Sequence, residues 1–305
     1  MGLNPAGVTK AMKRFTHPFL QLLVMLVFSL VLTIGVSLVS AVLTFSGVDM
    51  LSTSNMLWLQ AVTQLLVFAV PVLIVTLIYY RGSQRAYYRL DFSRRSWLAA
   101  LTGVVVMMLV VPVNEVLTEW NDGWDLGRVG ELLRQLQAST EGIVEQFLAV
   151  DSVGGLLVNL LVVAAVPAIC EELFFRAGIQ NLLQRWWNPS STVDGRPGLG
   201  THLAIVATAV IFSLGHGEVF SFVPRLLLGL ILGYLYIYSG SLLVNVTAHF
   251  VNNAVVVLLY WLVARGVLDI DPEAPIHFGL LPTVCATLAT VMLMVVTFGK
   301  RLKDS

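Results

Sequence analysis

The amino-acid sequence predicts an all-α, polytopic membrane helix bundle with about eight transmembrane helices. Three observations support this fold class. The 305 residues are 57% hydrophobic and only 12% charged, with a mean hydropathy of +0.84, whereas soluble domains usually carry about 25% charged residues. Long apolar runs recur along the chain, and the charged residues are concentrated in the connections between them. Lipid is therefore the expected solvent for most of the chain.

A transmembrane helix needs about 20 mostly apolar residues. The first apolar run is too long for the hydrophobic region of a signal peptide and has no small-residue cleavage site, so we expect a retained anchor helix. The predicted helices cover residues 19–45, 57–80, 97–116, 154–187, 203–215, 220–238, 242–263 and 278–298. The fifth and sixth of these are the weakest by length and composition.

The distribution of charge predicts the orientation of the bundle. Basic residues lie before the first helix, between the second and third helices, and in the C-terminal tail, and the positive-inside rule places such segments in the cytoplasm. These residues are Lys10, Lys13, Arg14, Arg81, Arg85, Arg89, Arg94, Arg95, Lys300, Arg301 and Lys303. The connection between the third and fourth helices is acidic, as is the segment 269–273, and both are expected outside. An even number of helices with both termini in the cytoplasm agrees with this pattern.

The acidic outer connection also contains apolar residues at helical spacing, which predict an amphipathic helix lying on the surface. These residues are Leu132, Leu133, Leu136, Ile143, Val144, Phe147 and Leu148. Passive covering of the bundle is favoured over a role as a gate or substrate guide. In the sixth helix, Gly229 and Gly233 form a GxxxG pair, which predicts close packing against a neighbouring helix.

The fourth apolar run contains charges that a membrane helix rarely carries. Glu171, Glu172 and Arg176 interrupt it, and a continuous helix would place the two carboxylates deep in the membrane, where each costs about 3 kcal/mol. Glu172 and Arg176 are four residues apart, in the favourable order for an ion pair. Glu171 lies about 100° around the helix from Glu172, so its partner must come from another helix or a water-filled cavity. A structural ion network is the alternative interpretation, and it fits Glu172 and Arg176 better than Glu171.

Two histidines lie in later apolar segments. His216 follows the sequence Phe-Ser-Leu-Gly and precedes Gly217, and these glycines allow a backbone or substrate to approach the imidazole. His249 and Asn253 are four residues apart and share one helix face. A lone membrane histidine usually bridges helices, but two of them together with buried carboxylates favour a functional site. Asn245 and Asn252, which are of similar type, are interpreted as structural.

Three motifs occur in order on three predicted helices: Glu-Glu-x-x-x-Arg, Phe-x-x-x-His and His-x-x-x-Asn. Each is short, but the set in this order resembles the CPBP family, the CAAX-protease and bacteriocin-processing group also called ABI. This family includes the type II CAAX prenyl endopeptidases. The resemblance covers roughly residues 154–263, and it implies that Glu172 and Arg176 support the site. The first three helices and the last carry no motif of the family, and nothing in the sequence indicates prenyl specificity.

The resemblance implies an intramembrane endopeptidase. Carried over by position, Glu171 and His216 activate a water molecule for attack on the scissile carbonyl, and His249 and Asn253 stabilise the oxyanion. The chemistry agrees, because peptide hydrolysis needs a base for the water and donors aimed at the developing oxyanion.

The metal requirement is left open by the sequence. Glu171, His216 and His249 can supply three zinc ligands and leave a fourth position for water. The sequence lacks His-Glu-x-x-His, and Asn253, one turn from His249, suits an oxyanion hole better than a zinc site. A mechanism without a cofactor is favoured, with zinc as the alternative.

We divide the chain into N-terminal helices with the outer amphipathic loop (1–153), a catalytic helical core (154–263), and a last helix with a basic tail (264–305). The expected substrate is a membrane-associated, prenylated or otherwise lipidated protein or peptide. We expect contact with the lipid bilayer, no nucleic-acid partner, and location in a bacterial cytoplasmic (inner) membrane. Two other functions are considered: a transporter or proton relay that uses the buried Glu, His and Arg side chains, and a non-catalytic scaffold or immunity factor. The absence of an internal repeat disfavours a transporter.

Overall fold

The computed structural model confirms the all-α fold class. It describes residues 17–90, 94–188, 197–272, 274 and 276–303, and none of these residues forms a β-strand. Helices cover all eight predicted apolar runs, with ends that differ by a few residues. In chain order the helices are α1 (Pro18–Phe45), α2 (Thr53–Tyr79), α3 (Gln84–Tyr87), α4 (Arg94–Leu109), α5 (Val111–Asp122), α6 (Gly127–Leu148), α7 (Val153–Trp187), α8 (Leu199–Gly215), α9 (Phe222–Ser239), α10 (Leu242–Ala264) and α11 (Leu280–Lys303).

The number of helices that can span a membrane is smaller than the sequence predicts. Within the described residues, six helices are long and apolar enough to span: α1, α2, α7, α9 with the turn before it, α10 and α11. The third predicted helix is not straight, because α4 and α5 meet at a bend of 44°. Pro112 lies in the first turn of α5, where its ring prevents the α-helical hydrogen bonding from continuing. If α4 and α5 together form one bent span, the number of candidate spanning helices is seven. Helix α8 is apolar but too short for a full span.

The outer surface of the bundle is apolar, as expected for a protein in lipid. In the most apolar stretch of α11 none of the residues is buried, and in that of α1 only 11% of the residues are buried. Leu38 of α1 and Leu288 of α11 are among the many exposed aliphatic side chains. A soluble monomer rarely exposes such continuous apolar area, so the chain is an integral membrane protein.

The predicted orientation depends on charged residues that are partly outside the described part of the chain. These are Lys10, Lys13, Arg14 and Glu273, and the side chains of Arg94, Arg95, Lys300, Arg301 and Lys303. The predicted orientation stays a prediction.

The amphipathic helix predicted in the outer connection is present as α6. Phe147 and Leu148 at its C-terminal end are buried, whereas Leu132 and Leu136 are exposed. The last turn of the predicted apolar face is therefore buried in the bundle, while Leu133 near the other end is half-buried.

The centre of the bundle is formed by α7 and α10. Helix α7 packs against α1, α2, α8 and α10, and α10 also contacts α4 and α9. Helix α7 has 35 residues, about 52 Å at 1.5 Å per residue, so the long fourth helix predicted from the sequence is confirmed. Glu171 lies near its middle and is buried, in the part of α7 that packs against α2 and α10.

Close packing of α8 and α9 confirms the interpretation of the GxxxG pair. A Cβ atom added at Gly233 would lie 2.7 Å from Ile205 Cγ2, and one added at Gly229 would lie 3.0 Å from Ala209 Cα. The two glycines therefore allow the backbones to approach, and this approach holds α8 against the core.

Gly233→Val should destabilise the protein by about 1–3 kcal/mol, the usual cost of overpacking, because the added side chain would overlap Ile205. Thermal unfolding of the purified protein in detergent measures the change. Gly35→Val in α1 is the matched control, since nothing lies within 4 Å of a Cβ added there. Equal melting temperatures for the two variants would contradict this account of the packing.

Candidate active site

An irregular turn in α7 presents the two carboxylates to the interior. The helix is α-helical from Val166 to Glu171 and then widens into a π-helical segment, Glu172–Gln180. Such segments often occur at functional sites, because the wider turn changes the direction in which side chains project. Glu171 and Glu172 are both buried although they are adjacent in sequence.

Glu172 is the centre of a buried hydrogen-bond network. Its Oε2 accepts from Arg176 Nε at 3.0 Å and from Asn245 Nδ2 at 3.1 Å, and its Oε1 accepts from His249 Nδ1 at 3.0 Å. Asn245 also donates to the carbonyl oxygen of Leu232 at 2.6 Å. The predicted ion pair between Glu172 and Arg176 is confirmed, and both side chains are completely buried.

This network fixes the state of His249. A carboxylate only accepts hydrogen bonds, so His249 Nδ1 carries the hydrogen that is donated to Glu172. The other ring nitrogen, Nε2, then faces the opposite way, and it lies 3.9 Å from Glu171 Oε2. His249 thus stands between the two carboxylates: it is bonded to Glu172, while its distance from Glu171 is longer than a direct hydrogen bond.

Glu171 has a partner that the sequence did not indicate. Gln64 Nε2 in α2 donates to Glu171 Oε1 at 3.0 Å. This contact occupies one carboxylate oxygen and leaves Oε2 facing His249. Gln64 lies in an apolar run of ordinary composition, and the two residues are 107 positions apart, so no local pattern in the sequence could reveal the pair.

His216 lies close to this centre but is not bonded to it. It is the C-cap of α8, and its Nδ1 donates to the carbonyl oxygen of Phe212 at 2.8 Å, which leaves Nε2 available. The ring of Phe212 is 4.8 Å from the ring of His216 and 6.1 Å from that of His249. The side chain of His216 is exposed. Among the described residues it has no hydrogen bond to Glu171, with which it interacts only through the electrostatic field.

The loop after His216 is held by a residue that sequence reasoning missed. Asn121, completely buried at the end of α5, donates to the carbonyl oxygen of Val219 at 3.0 Å and accepts from Val223 N at 2.7 Å. Gly217 has a φ of +73°, a left-handed conformation that favours glycine, and there is open space beside it. The chain therefore turns at Gly217 and is fixed by both ends of one amide.

Helix α6 also contacts this loop. The guanidinium of Arg134 lies 3.8 Å from the centre of the Phe220 ring, and Gln137 Nε2 is 3.3 Å from Ser221 Oγ. The amphipathic helix thus touches the segment that follows His216.

The asparagines of α10 have different surroundings. Asn245 belongs to the buried network, in line with its interpretation as structural. Asn253 is half-buried, and its Oδ1 accepts from Asn252 Nδ2 at 3.3 Å. It lies on the same helix as His249, one turn further along, and its amide nitrogen retains its capacity to donate.

The hydrogen bonds of the three candidate zinc ligands show which of their atoms are free. Within the described ranges, no three His, Cys, Asp or Glu side chains are placed to hold a metal ion. Glu171, His216 and His249 share one region, and the Nδ1 atoms of both histidines are bonded to acceptors, which leaves each Nε2 available. A histidine that binds zinc commonly donates its other ring N–H in this way, so zinc stays the alternative that the sequence left open. No step of the mechanism below uses a metal.

The fold and the site together define a polytopic membrane protein with a buried Glu–His centre. Residues 153–255, about a third of the chain, match the family model described as Type II CAAX prenyl endopeptidase Rce1-like. No curated protein and no solved structure matches the chain. The family match confirms the resemblance predicted from the three motifs, all of which lie inside the matched segment. By the family's description, this similarity indicates a membrane protease of the CAAX type.

Glu172→Gln should lower the stability of the protein by about 3–5 kcal/mol, because it leaves the buried guanidinium of Arg176 without a counter-charge. Thermal unfolding in detergent measures the effect, and Glu131→Gln, at an exposed position of α6, is the matched control. The double variant Glu172→Leu/Arg176→Leu should recover part of the loss, since it buries neither charge. A Glu172→Gln protein that melts with the wild type would contradict the central role of the ion pair.

Proposed function

We propose that this protein is an intramembrane endopeptidase that hydrolyses peptide bonds in membrane-associated, prenylated or otherwise lipidated proteins or peptides. One observation carries the proposal: the arrangement of Glu172, His249 and Glu171. A buried carboxylate, held at one oxygen by Gln64, turns its other oxygen toward an imidazole whose orientation is set by a second carboxylate. The match to a CAAX-type endopeptidase family over the segment that contains Glu171, Glu172 and His249 supports the same reaction class.

In the proposed reaction, Glu171 acts as the general base. A water molecule placed between Glu171 Oε2 and His216 Nε2 gives a proton to Glu171, and its oxygen forms a bond to the scissile carbonyl carbon. The electron pair of the carbonyl π bond moves to the carbonyl oxygen. When the tetrahedral intermediate collapses, the C–N bond breaks and Glu171 returns the proton to the leaving amine. Glu171 is thereby restored, and the net change is the addition of one water molecule across the peptide bond.

The developing oxyanion is stabilised by donors on α10. Doubly protonated His249 has two N–H groups: Nδ1–H is bonded to Glu172, and Nε2–H is directed into the site. Glu171 and Glu172, on either side, match the positive charge of this imidazolium. Asn253, one turn away with its amide nitrogen able to donate, supplies the second hydrogen bond. Glu172 and Arg176 act on the reaction only through the position of His249.

Phe212 packs against both imidazoles of the proposed site. Its ring contacts both His216 and His249, and the guanidinium of Arg176 lies 5.4 Å from the ring centre. This shared apolar contact helps to hold the two rings in place.

Glu171→Gln should abolish proteolysis, because the amide cannot take a proton from water. The measurement is a comparison of new protein termini by mass spectrometry in membranes from cells that make the wild type or the variant at matched levels. Glu131→Gln, the same change at an exposed position, should give the wild-type set of termini.

Two results would contradict the proposal. If the wild type and Glu171→Gln yield the same termini, the protease function fails, and proton or solute flux through reconstituted vesicles then tests a proton relay. If biological function survives loss of both His216 and His249, a non-catalytic scaffold or immunity factor is supported.

Cleavage should persist in the presence of 1,10-phenanthroline or EDTA, because the proposed chemistry uses only protein groups. The test compares the rate of cleavage of one identified substrate before and after dialysis against either chelator. A loss of activity that zinc restores would contradict the metal-free mechanism and leave the protease function standing.

A further inference from the structure

The carboxylate of Glu171 is held by a residue that lies outside the segment matched by the family model. Gln64 is half-buried in α2, and its Nε2 donates to Glu171 Oε1 at 3.0 Å. The matched segment is residues 153–255, so this contact adds a residue from the N-terminal helices to the site. We propose that Gln64 is a positioning residue for Glu171, an inference that rests on the proposed function.

The chemistry of the contact explains why a glutamine suits this position. Its amide is neutral, so it can donate to the carboxylate without forming an ion pair that would compete with proton transfer. The reverse orientation would place the amide oxygen against the carboxylate oxygen, so Glu171 determines which way the amide lies. Gln64 Oε1 is buried and has no other partner among the described residues, and thus no second contact opposes this orientation.

The backbone of α2 departs from α-helical geometry at Gln64, which affects the direction of this side chain. Gln64 is the first residue of a π-helical segment, Gln64–Ala69, which changes the direction of the side chains at its start. The widened turn is supported from α1, where Ser29 Oγ donates to the carbonyl oxygen of Val67 at 2.9 Å. This hydrogen bond from α1 stabilises the π-helical turn, so the turn is a regular part of the fold of α2.

Aromatic packing fixes the position of α2 against α7. Phe68, one turn after Gln64, has its ring centre 5.2 Å from that of Phe174 and 6.0 Å from that of Phe175. Phe174 and Phe175 follow Glu171 within one turn of α7. The same two helix turns therefore carry the hydrogen bond and the ring contacts, so sliding of α2 along α7 would break both.

The consequence for catalysis is a defined geometry of the base. With Oε1 held by Gln64, the carboxylate plane is fixed and Oε2 is the oxygen that faces His249 Nε2, at 3.9 Å. Without Gln64, the carboxylate is free to rotate, and either oxygen can turn away from the substrate.

The experiment compares Gln64→Leu and Gln64→Glu with the wild type. Gln60→Leu is the matched control, because Gln60 lies one turn earlier on the same face of α2 and, among the described residues, the hydrogen bond to Glu171 comes from Gln64. The substrate is a quenched fluorescent peptide that spans a cleavage site found by the comparison of termini. For Gln64→Leu, kcat should fall by about ten- to a hundredfold, the equivalent of one hydrogen bond to a charged group, with KM within about twofold of the wild type. Gln60→Leu should keep both constants.

Gln64→Glu tests whether the side chain at position 64 lies against the carboxylate of Glu171. The new carboxylate has the shape of the glutamine but repels Glu171, so the acidic limb of the pH–activity profile should move to higher pH, and activity at neutral pH should fall. Leu has a volume close to that of Gln, so a residue that only fills space would tolerate Gln64→Leu and keep the wild-type kcat. If Gln64→Leu retains the wild-type kcat, or changes KM alone, the inference is overturned while the protease function stands.

A spectroscopic measurement makes the test independent of proteolysis. In infrared difference spectra between low and high pH, the carboxyl band that disappears in Glu171→Gln belongs to Glu171. That band should shift in Gln64→Leu and stay in place in Gln60→Leu. A shift in a protein without protease activity would support the contact and reject only the proposed function. An unshifted band would overturn the positioning role of Gln64, whatever the reaction is.

Discussion

The burial of the Glu172 carboxylate is the constraint on which the rest of the site depends. A charge without contact to water is tolerable only when its acceptor sites are filled by donors, and here Arg176, Asn245 and His249 fill them. Satisfying this one group joins α7 to α10 and orients the imidazole of His249. The completely buried carboxylate of Glu172 is thus the group that links the helices of the site.

The division of roles between the two adjacent carboxylates follows from their partners. Glu172 has three strong donors, including the guanidinium of Arg176, and no oxygen left for chemistry. Glu171 has a single neutral donor and one oxygen that faces an imidazole. In the proposed mechanism, two groups of the same type therefore serve as a structural anchor and a general base because of their surroundings alone, an arrangement known from enzymes with paired carboxylates.

The parts of the site that are local in sequence could be predicted from it. Hydropathy located the apolar helices, and the spacing of four residues between Glu172 and Arg176 indicated their ion pair, because helix geometry brings such residues together. The link between Glu172 and His249 spans 77 residues, and only the packing of α7 against α10 creates it. Periodicity carries no information about such contacts.

Other features were missed for different reasons. Asn121 lies in a polar connection, where asparagine is common and indicates no special role. Both ends of its amide nevertheless fix the loop after His216. The bend after α4 had a signal in Pro112, but hydropathy averaged over it. The π-helical segments leave no trace in composition, since they change hydrogen bonding and side-chain direction without changing the residue types.

The length of α7 has a consequence for the membrane around the protein. Its 35 residues extend about 52 Å, against a hydrocarbon core of about 30 Å, so the helix must tilt, project beyond the core or locally thicken the bilayer. Trp186 and Trp187 at its end are residues that favour the membrane interface, and they oppose free sliding along the membrane normal. The depth of Glu171 is thus coupled to hydrophobic mismatch. If Glu171 is the base of the proposed reaction, the thickness of the host bilayer helps to determine which bond of an embedded substrate lies level with it.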